Sequence, residues 1–194
     1  MLKIAIVGNI ASGKSTVEKE FEKLGFKVFD TDKISHSILN EKKIDILNAF
    51  KDFDILENDK ISRIKLGKLV FDNPNLKKIL EDLIYPNLKS KLNEIFEENN
   101  QEKYIFISIP LLYEVGWQEL FDKILFIKTD DEIRLQRLIK RNNYTIEEAQ
   151  KRINSQLPQD EKLKKSDFII CNNDSVEQLQ NEIERFIIQL EETE

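Results

Sequence analysis

The chain has 194 residues, of which 34% are charged and 40% are hydrophobic, and its formal net charge is −6. These values are typical of one globular domain, with or without an inserted subdomain, and the negative charge argues against a nucleic-acid partner, which usually meets a basic face. The single cysteine, Cys171, cannot form an internal disulfide, and no apolar run is long enough for a signal peptide or a membrane span. We therefore expect a cytoplasmic protein with no membrane partner.

The first predicted element is a strand, "LKIAIV", whose continuous apolar character indicates burial on both faces of a parallel sheet. The segment that follows it, "GNIASGKST", has the spacing of a phosphate-binding loop and opens a predicted helix, which is the context this motif requires. The backbone N–H groups of the loop and the N-terminus of the helix would face phosphates. The predicted nucleotide-binding residues are Gly8, Ala11, Ser12, Gly13, Lys14, Ser15 and Thr16.

Within this loop, each polar side chain has an expected role. Lys14 would spread its charge over the β- and γ-phosphates, Ser15 would give its hydroxyl to Mg²⁺, and Thr16 would lie near the α-phosphate. Asn9 and Ala11 occupy positions where glycine would ease the turn. Asn is the non-glycine residue that best tolerates a positive φ, so we expect Asn9 at positive φ or the loop shifted to avoid it. The alternative is an ordinary strand–turn–helix that matches by accident.

The second predicted strand, "KVFD", places Asp30 and Asp32 two residues apart at its C-terminal end. If the strand geometry persists, both carboxylates point to the same side, and this end of a strand faces the ligand crevice in such folds. A carboxylate there can accept the proton of an attacking hydroxyl or hold Mg²⁺ through water. The alternative is that one aspartate caps the next helix and the other is solvated.

Between the second and third strands, the chain changes character. Residues 35–100 carry no strong strand signal, and a long amphipathic helix interrupted by Pro86 is predicted within them. We expect a helical insertion, which could bind a ligand or serve packing alone. The strands "YIFISI", "KILFIK" and "DFIIC" then alternate with helices, and Ser175 with Gln178 has the spacing that starts the last helix. The alternation predicts an α/β fold with a central, largely parallel sheet flanked by helices.

After the fourth main strand, two short helices carry basic residues. Arg134, Arg137 and Arg141 lie on the first, where Arg137 and Arg141 share one face. The second begins at Thr145, which has a capping-box partner in Glu148, and carries Arg152 and Gln156. Such helices are typical of a lid that closes over a nucleotide and excludes water. A solvated basic stripe is the alternative.

Eight segments, in this order, resemble one family over nearly the whole chain, the dephospho-coenzyme A kinases. They are "GNIASGKST", "DTD", "ISRIKLGKLVFDNP", "LEDLIYPNL", "IPLLYE", "RLIKR", "RINSQ" and "SDFIICNND". Most are weak individually, and unrelated kinases with this loop share only the first two. Their number and order carry the resemblance.

The resemblance implies a P-loop kinase fold and transfer of the γ-phosphoryl group of ATP to the ribose 3′-hydroxyl of dephospho-coenzyme A, the last step of coenzyme A synthesis. It implies ATP and dephospho-coenzyme A as substrates and Mg²⁺ as cofactor. The implied organisation is a single domain whose core spans about 1–34, 101–130 and 166–194, with an acceptor-binding insertion at about 35–100 and a lid at about 131–165. Of the possible oligomeric states, a monomer is favoured.

The same resemblance assigns roles to individual residues. Asp32 matches the base that orients or deprotonates the 3′-hydroxyl, and Lys14, Arg137 and Arg141 match the cations around the phosphates. Ser15 and Asp32 would hold the metal, and Asn173 falls near the adenine. The residues assigned to the acceptor side are Asp30, Arg63, Pro110, Leu111, Leu112 and Glu114. For residues 110–112, packing in the wall or core of the site is an equally good interpretation.

Two further positions depart from the family pattern. Tyr85 replaces the histidine expected before Pro86, and Ser108 stands where many members have an aspartate that ends the third strand. If that aspartate holds Mg²⁺, its role passes here to Ser15, Asp30, Asp32 and water.

Other classes of protein remain as alternatives. Shikimate and gluconate kinases also combine this loop with an Asp-x-Asp, but the chain lacks a Gly–Gly pair and its helical insertion is long. A nucleotide switch would carry a guanine-reading Asn-Lys-x-Asp after a strand, and the sequence has none. A purely structural α/β module would leave the loop, the aspartates and the arginines unexplained.

Overall fold

The computed structural model describes residues 1–192, so the last two residues of the predicted core, 193–194, lie outside the described residues. The chain divides into two compact units. One comprises Met1–Phe29 with the chain from Gln101 onward, and the other comprises Asp30–Asn100, which includes the predicted insertion. No helix within the described residues is long and apolar enough to span a membrane.

The strands confirm an α/β fold. They are β1 (Leu2–Val7), β2 (Lys27–Asp30), β3 (Leu56–Glu57), β4 (Lys60–Ile61), β5 (Tyr104–Ser108), β6 (Lys123–Lys128) and β7 (Phe168–Cys171). Within residues 1–192 a five-stranded sheet has the order β2-β5-β1-β6-β7, and β3 pairs with β4 in a separate hairpin. The β1–β5, β1–β6 and β6–β7 pairs are parallel.

The helices connect these strands in the alternation that the sequence predicts. They are α1 (Lys14–Lys23), α2 (Thr31–Glu41), α3 (Lys43–Ala49), α4 (Arg63–Phe71), α5 (Pro74–Glu98), α6 (Leu112–Val115), α7 (Asp131–Asn142), α8 (Ile146–Asn154), α9 (Gln159–Leu163) and α10 (Val176–Glu192). A 3₁₀ turn covers Gln118–Leu120.

The central strand β1 is buried on both faces, as its apolar sequence predicts. Ile4 and Ile6 belong to one core cluster, whereas Ala5 and Val7 belong to another, because successive side chains of a strand point to opposite faces. The first cluster includes Phe21 of α1, Phe106 of β5 and Phe186 of α10. Phe21 and Phe106 stack with ring centroids 4.5 Å apart. The two clusters pack against both faces of the strand up to the point where the phosphate loop begins.

Helix boundaries follow the predicted capping signals. Thr145 and Glu148 form the capping box that starts α8. Ser175 and Gln178 exchange the equivalent two hydrogen bonds at the start of α10. At the end of α1, Gly25 has a φ of 88°, as expected for the residue that terminates a helix.

In the second unit, the predicted interruption at Pro86 is wrong, because α5 continues through it. Proline has no N–H for the preceding turn. The side chain of Asn87 donates to the carbonyl oxygen of Leu83 over 2.9 Å and supplies a hydrogen bond within the disturbed turn.

The β3–β4 hairpin of the second unit was not predicted from the sequence. Asn58 and Asp59 connect the two strands, with φ values of 48° and 59°. Two consecutive residues at positive φ are what a tight hairpin turn requires, and Asn and Asp are among the residues that tolerate it. This Asn-Asp pair is therefore a sequence signal that could have revealed the hairpin.

Candidate active site

The predicted phosphate loop joins β1 to α1, at the carboxyl end of a strand whose two neighbours are β5 and β6. Ligands bind at this position in open α/β sheets. The left-handed conformation falls on Ala11, with a φ of 62°, and on Gly13, with a φ of 85°. Of the two arrangements expected for Asn9, the structure has the second, because Asn9 is not at positive φ and the left-handed conformation falls on Ala11 instead. Asn9 is 1% exposed, and its Nδ2 donates to the carbonyl oxygen of Leu157 over 2.9 Å, so its side chain has a bonding role instead.

Both glycines at the ends of the motif are closely packed by neighbouring residues. A Cβ on Gly13 would collide with Nδ2 of Asn172, and the positive φ adds backbone strain for any other residue. A Cβ on Gly8 would lie 2.5 Å from Oγ of Ser12 and 3.0 Å from the carbonyl oxygen of Ile127. The loop therefore has the compact geometry that its glycine spacing predicts.

Two residues that the sequence analysis missed hold the loop in place. The carbonyl oxygen of Ser12 accepts from Nδ2 of Asn172 over 2.8 Å and from Oγ1 of Thr129 over 3.0 Å. Thr129 and Asn172 are buried, and each directly follows a strand, β6 and β7 respectively. Because the carboxyl ends of parallel strands meet at the ligand edge, their positions were the signal that could have identified them.

The predicted phosphate-binding side chains lie on and just after this loop. Lys14 Nζ lies 3.3 Å from the carbonyl oxygen of Gly8, so the side chain folds back over the loop. Ser15 is exposed in the first turn of α1, and the backbone N–H of Thr16 donates to Gly13. Ser12 is 1% exposed, and its Oγ has no hydrogen-bond partner within residues 1–192.

Of the two predicted phosphate-binding arginines, the structure brings Arg137 to the loop but not Arg141. Arg137 Nη2 donates to the carbonyl oxygen of Asn172 over 3.0 Å. Its Nη1 lies 3.6 Å from where a Cβ on Gly13 would be, and is buried with no hydrogen-bond partner in the described part of the chain. Arg141 is exposed, and its Nε donates to Oδ1 of Asn142 over 2.9 Å.

A third arginine of the same helix, Arg134, is 2% exposed and contacts the loop from the other side. Its Nη1 lies 3.4 Å from the carbonyl oxygen of Ile10, and its Nη2 donates to Oδ1 of Asp131 over 2.7 Å. The guanidinium hydrogen bond is the main cause that lowers the pKa of Asp131. This arginine therefore links the start of α7 to the loop.

The segment after α8 also contacts the loop. Gln156 Oε1 accepts from the backbone N–H of Ile10 over 2.7 Å. A cavity of about 720 Å³ lies beside this contact, and Asn9, Arg134 and Gln156 are among the residues that line it. Residues of the predicted lid are thus hydrogen-bonded to the phosphate loop.

The aspartate pair differs from the expected geometry. Helix α2 begins at Thr31, so strand geometry ends at Asp30, and the expectation that both carboxylates point to the same side along a strand is wrong. Asp30 is the N-cap: its Oδ1 accepts from the backbone N–H of Asp32 over 2.8 Å. Asp32 is exposed in the first turn of the helix. Arg63, in the same unit, is exposed at the first residue of α4.

The predicted acceptor-side residues 110–114 include side chains with packing roles. Leu112 is fully buried in a core cluster, whereas Pro110 and Leu111 are half-buried. Glu114 Oε1 accepts from Nζ of Lys162 over 2.7 Å, and Lys162 is fully buried. The packing interpretation is therefore favoured for Leu112, and Glu114 neutralises a buried lysine of α9.

Three remaining positions that the sequence singled out have identified contacts. Asn173 Oδ1 accepts from the backbone N–H of Asp130 over 2.9 Å, so it bridges the ends of two neighbouring strands. Ser108 is buried and donates to Oε1 of Glu18 over 2.5 Å, which places a carboxylate of α1 at the end of β5. Tyr85 donates to Glu81 over 2.9 Å within α5.

Comparisons with known proteins agree on one family. The sequence model of dephospho-CoA kinase matches residues 2–178. The dephospho-CoA kinase of Fusobacterium nucleatum subsp. nucleatum is 39% identical over 185 residues, covering 94% of this chain and 95% of the relative. The solved dephospho-CoA kinase from Campylobacter jejuni has a TM-score of 0.75 at 36% identity, covering 97% of this chain and 96% of that chain.

A solved shikimate kinase from Acinetobacter baumannii in complex with shikimate has a TM-score of 0.58 at 15% identity, covering 100% of this chain and 95% of that chain. Identity this low shows a common fold and no more. The family match, in contrast, covers most of the sequence and includes the loop and the arginine that lies against it. This chain belongs to the dephospho-CoA kinase family.

Proposed function

We propose that this protein transfers the γ-phosphoryl group of ATP to the ribose 3′-hydroxyl of dephospho-coenzyme A and so completes coenzyme A synthesis. Membership of the dephospho-CoA kinase family supports dephospho-coenzyme A as the acceptor, and ATP is the donor that this kinase family uses. The observation that carries the chemistry is the phosphate loop, held between Asn172 and Gln156, with Arg137 against it. Shikimate is disfavoured as acceptor because that likeness is one of fold alone.

The side chains around the loop suit a polyphosphate. Arg137 Nη1 and Ser12 Oγ are buried donors with no hydrogen-bond partner among residues 1–192. A buried donor that stays unsatisfied costs about 1–3 kcal/mol, so a bound anion that accepts from them would recover that free energy. Lys14 adds positive charge from the first residue of α1, where the helix dipole also favours an anion. These groups would hold the nucleotide.

For Mg²⁺, we assign the hydroxyl of Ser15 and the carboxylate of Asp32, which would supply oxygen ligands of the kind that this ion prefers. Both residues are exposed in the first turn of their helices, so neither is closed off by packing within its own unit. When bound, the ion would neutralise charge on the phosphates. Groups of three or more His, Cys, Asp or Glu side chains able to hold a metal are absent from the described residues.

In the reaction we propose, the 3′-hydroxyl oxygen forms a bond to the γ-phosphorus while the bond from that phosphorus to the ADP oxygen breaks. Asp32 accepts the hydroxyl proton. Lys14 and Arg137, assisted by Arg141, stabilise the charge that develops on the transferred group, and such electrostatic stabilisation is the largest part of catalysis in phosphoryl transfer.

We also assign roles to the two segments that flank the core. Segment 131–165 is a lid that excludes water, and its contacts to Ile10 through Arg134 and Gln156 support this assignment. Segment 35–100 binds the acceptor, with Arg63 as an exposed cation for a phosphate group of dephospho-coenzyme A. A cytoplasmic location and a monomeric state remain predictions.

An ATP-consumption assay tests the function. Dephospho-coenzyme A, shikimate, gluconate and nucleoside monophosphates are compared as acceptors at equal concentration. We expect ATP consumption to be stimulated by dephospho-coenzyme A, with coenzyme A and ADP formed in equal amounts. A chain that is folded and binds ATP but is stimulated only by another acceptor would contradict the proposal.

A further inference from the structure

Two hydrogen bonds join the phosphate loop to the chain that follows α8. Asn9 Nδ2 donates to the carbonyl oxygen of Leu157 over 2.9 Å, and Gln156 Oε1 accepts from the backbone N–H of Ile10 over 2.7 Å. Each bond pairs a side chain of one segment with a backbone group of the other. We refer to Asn9, Ile10, Gln156 and Leu157 as the loop–lid latch.

The contacts around the latch join the lid to the first half of the loop. The carbonyl oxygen of Ile10 lies 3.4 Å from Nη1 of Arg134, so both backbone groups of Ile10 face lid side chains. Ile10 and Ala11 also pack against the lid cluster of Leu138, Ala149 and Ile153. The second half of the loop is held separately, through the carbonyl oxygen of Ser12.

This part of the loop depends on such contacts. Ala11 is in the left-handed conformation, which a non-glycine residue keeps only where its surroundings hold it. On the side of the latch where Asn9, Gln156 and Leu157 line a cavity of about 720 Å³, packing against the loop is incomplete. The two hydrogen bonds therefore add to the apolar contacts of Ile10 and Ala11 in joining the loop to the lid.

We propose that Asn9 and Gln156 are positioning residues that couple the lid to the phosphate loop, so that the loop has its ATP-binding shape when the lid is in place. The proposal rests on the proposed function for its kinetic consequence. It explains why asparagine stands at a position where glycine would ease the turn. The amide donor of Asn9 anchors the lid, and its backbone does not need a positive φ.

The kinetic test uses Asn9→Ala, Gln156→Leu and the double variant. Alanine suits position 9 because Asn9 is not in the left-handed region, and leucine has nearly the size of glutamine without its acceptor. We expect KM for ATP to rise about tenfold in each single variant with a smaller change in KM for dephospho-coenzyme A. The double variant should be no more than about twofold worse than either single one, because groups that act as a unit are not additive.

Gln150→Leu is the matched control, since Gln150 is an exposed glutamine of α8, the helix that directly precedes Gln156. It should leave both KM values unchanged. If Asn9→Ala and Gln156→Leu both behave like Gln150→Leu, or if their effects multiply in the double variant, the coupling proposal is wrong. The two single variants alter opposite ends of the latch. If one of them does not fold, KM for ATP in the other still tests the coupling.

Hydrogen exchange of the Ile10 amide, followed by NMR on the protein without substrates, tests the latch independently of activity. We expect exchange to be at least tenfold faster in Gln156→Leu and in Asn9→Ala than in the wild type and in Gln150→Leu. Unchanged exchange in the variants would overturn the proposal. If dephospho-coenzyme A is not phosphorylated by the wild type, the proposed function is wrong. The hydrogen-exchange measurement still tests whether Asn9 and Gln156 hold the loop.

Discussion

The side-chain amide of Asn172 donates to the carbonyl oxygen of Ser12 over 2.8 Å, and so joins the end of β7 to the phosphate loop. The two residues are 160 positions apart in the sequence. Gly13 follows Ser12 directly, and the Asn172 side chain fills the space that a Cβ on Gly13 would need. The nucleotide loop is therefore shaped by the last strand of the sheet as well as by its own sequence.

Gly13→Ala should weaken ATP binding and lower stability. The left-handed backbone costs a non-glycine residue about 1–2 kcal/mol, and the added methyl group would also displace Asn172. Gly25→Ala is the control, because Gly25 has nearly the same φ, 88°, and no atom of the described residues lies within 4 Å of the position that its Cβ would take. Urea denaturation and KM for ATP should show a larger loss for Gly13→Ala. Equal losses in Gly13→Ala and Gly25→Ala would show that the Asn172 side chain moves aside without a cost in free energy.

Asp30 and Asp32 should respond differently to substitution. Asp30→Ala removes the N-cap of α2 and should lower the free energy of unfolding by about 1 kcal/mol, as measured by urea denaturation. Asp32→Asn should instead depress kcat on the order of 10²-fold or more with little change in ATP affinity, because general-base catalysis typically contributes that much. Turnover of Asp32→Asn near the wild-type value would show that Asp32 is not the base.

Glu114 should prove important for stability. Glu114→Gln leaves the fully buried ammonium of Lys162 without its carboxylate, and because the Glu114 side chain is 22% exposed, the loss should be below about 3 kcal/mol, the lower end for a fully buried ion pair. The double variant Glu114→Gln/Lys162→Met should recover most of that loss. Urea denaturation gives the stabilities, and KM for dephospho-coenzyme A is measured alongside. A raised KM with unchanged stability would support the acceptor-binding role instead.

The ion pair between Asp131 and Arg134 should make a pH-dependent contribution to the free energy of unfolding. The hydrogen bond from Arg134 lowers the pKa of Asp131 below its usual 3.8 in the folded protein, so the stabilisation is complete above that value and is lost as the pH falls through the lowered pKa. The Asp131 side chain is 72% exposed, so the contribution should be below about 1 kcal/mol.

The measurement compares Asp131→Asn with the wild type by urea denaturation between about pH 7 and pH 2. The difference in the free energy of unfolding should be constant above about pH 5 and should shrink toward pH 2. Glu132→Gln, an exposed acid on the same turn of α7, is the control. A difference that grows as the pH falls would contradict this assignment of the sign.

Local spacing in the sequence was sufficient for the α/β class, the phosphate loop and the capped helices. The apolar run of β1, the glycines five residues apart and the Thr145–Glu148 box are each recognised within a few residues, because the interactions that form them are themselves local. The order of the family segments likewise indicated the dephospho-CoA kinases, and the family match confirms it.

The hydrogen bonds that hold the loop, in contrast, were identified only from the folded chain. Thr129, Asn172 and Gln156 reach it from 117 to 160 positions away, and no local pattern encodes which partner each one finds. Asp32 belongs to a helix that Asp30 caps. The spacing of the two aspartates alone did not decide between a continued strand and the start of this helix. Asn9 is outside the left-handed region, and its amide donates to a carbonyl oxygen 148 positions away, a contact that no local pattern in the sequence predicts.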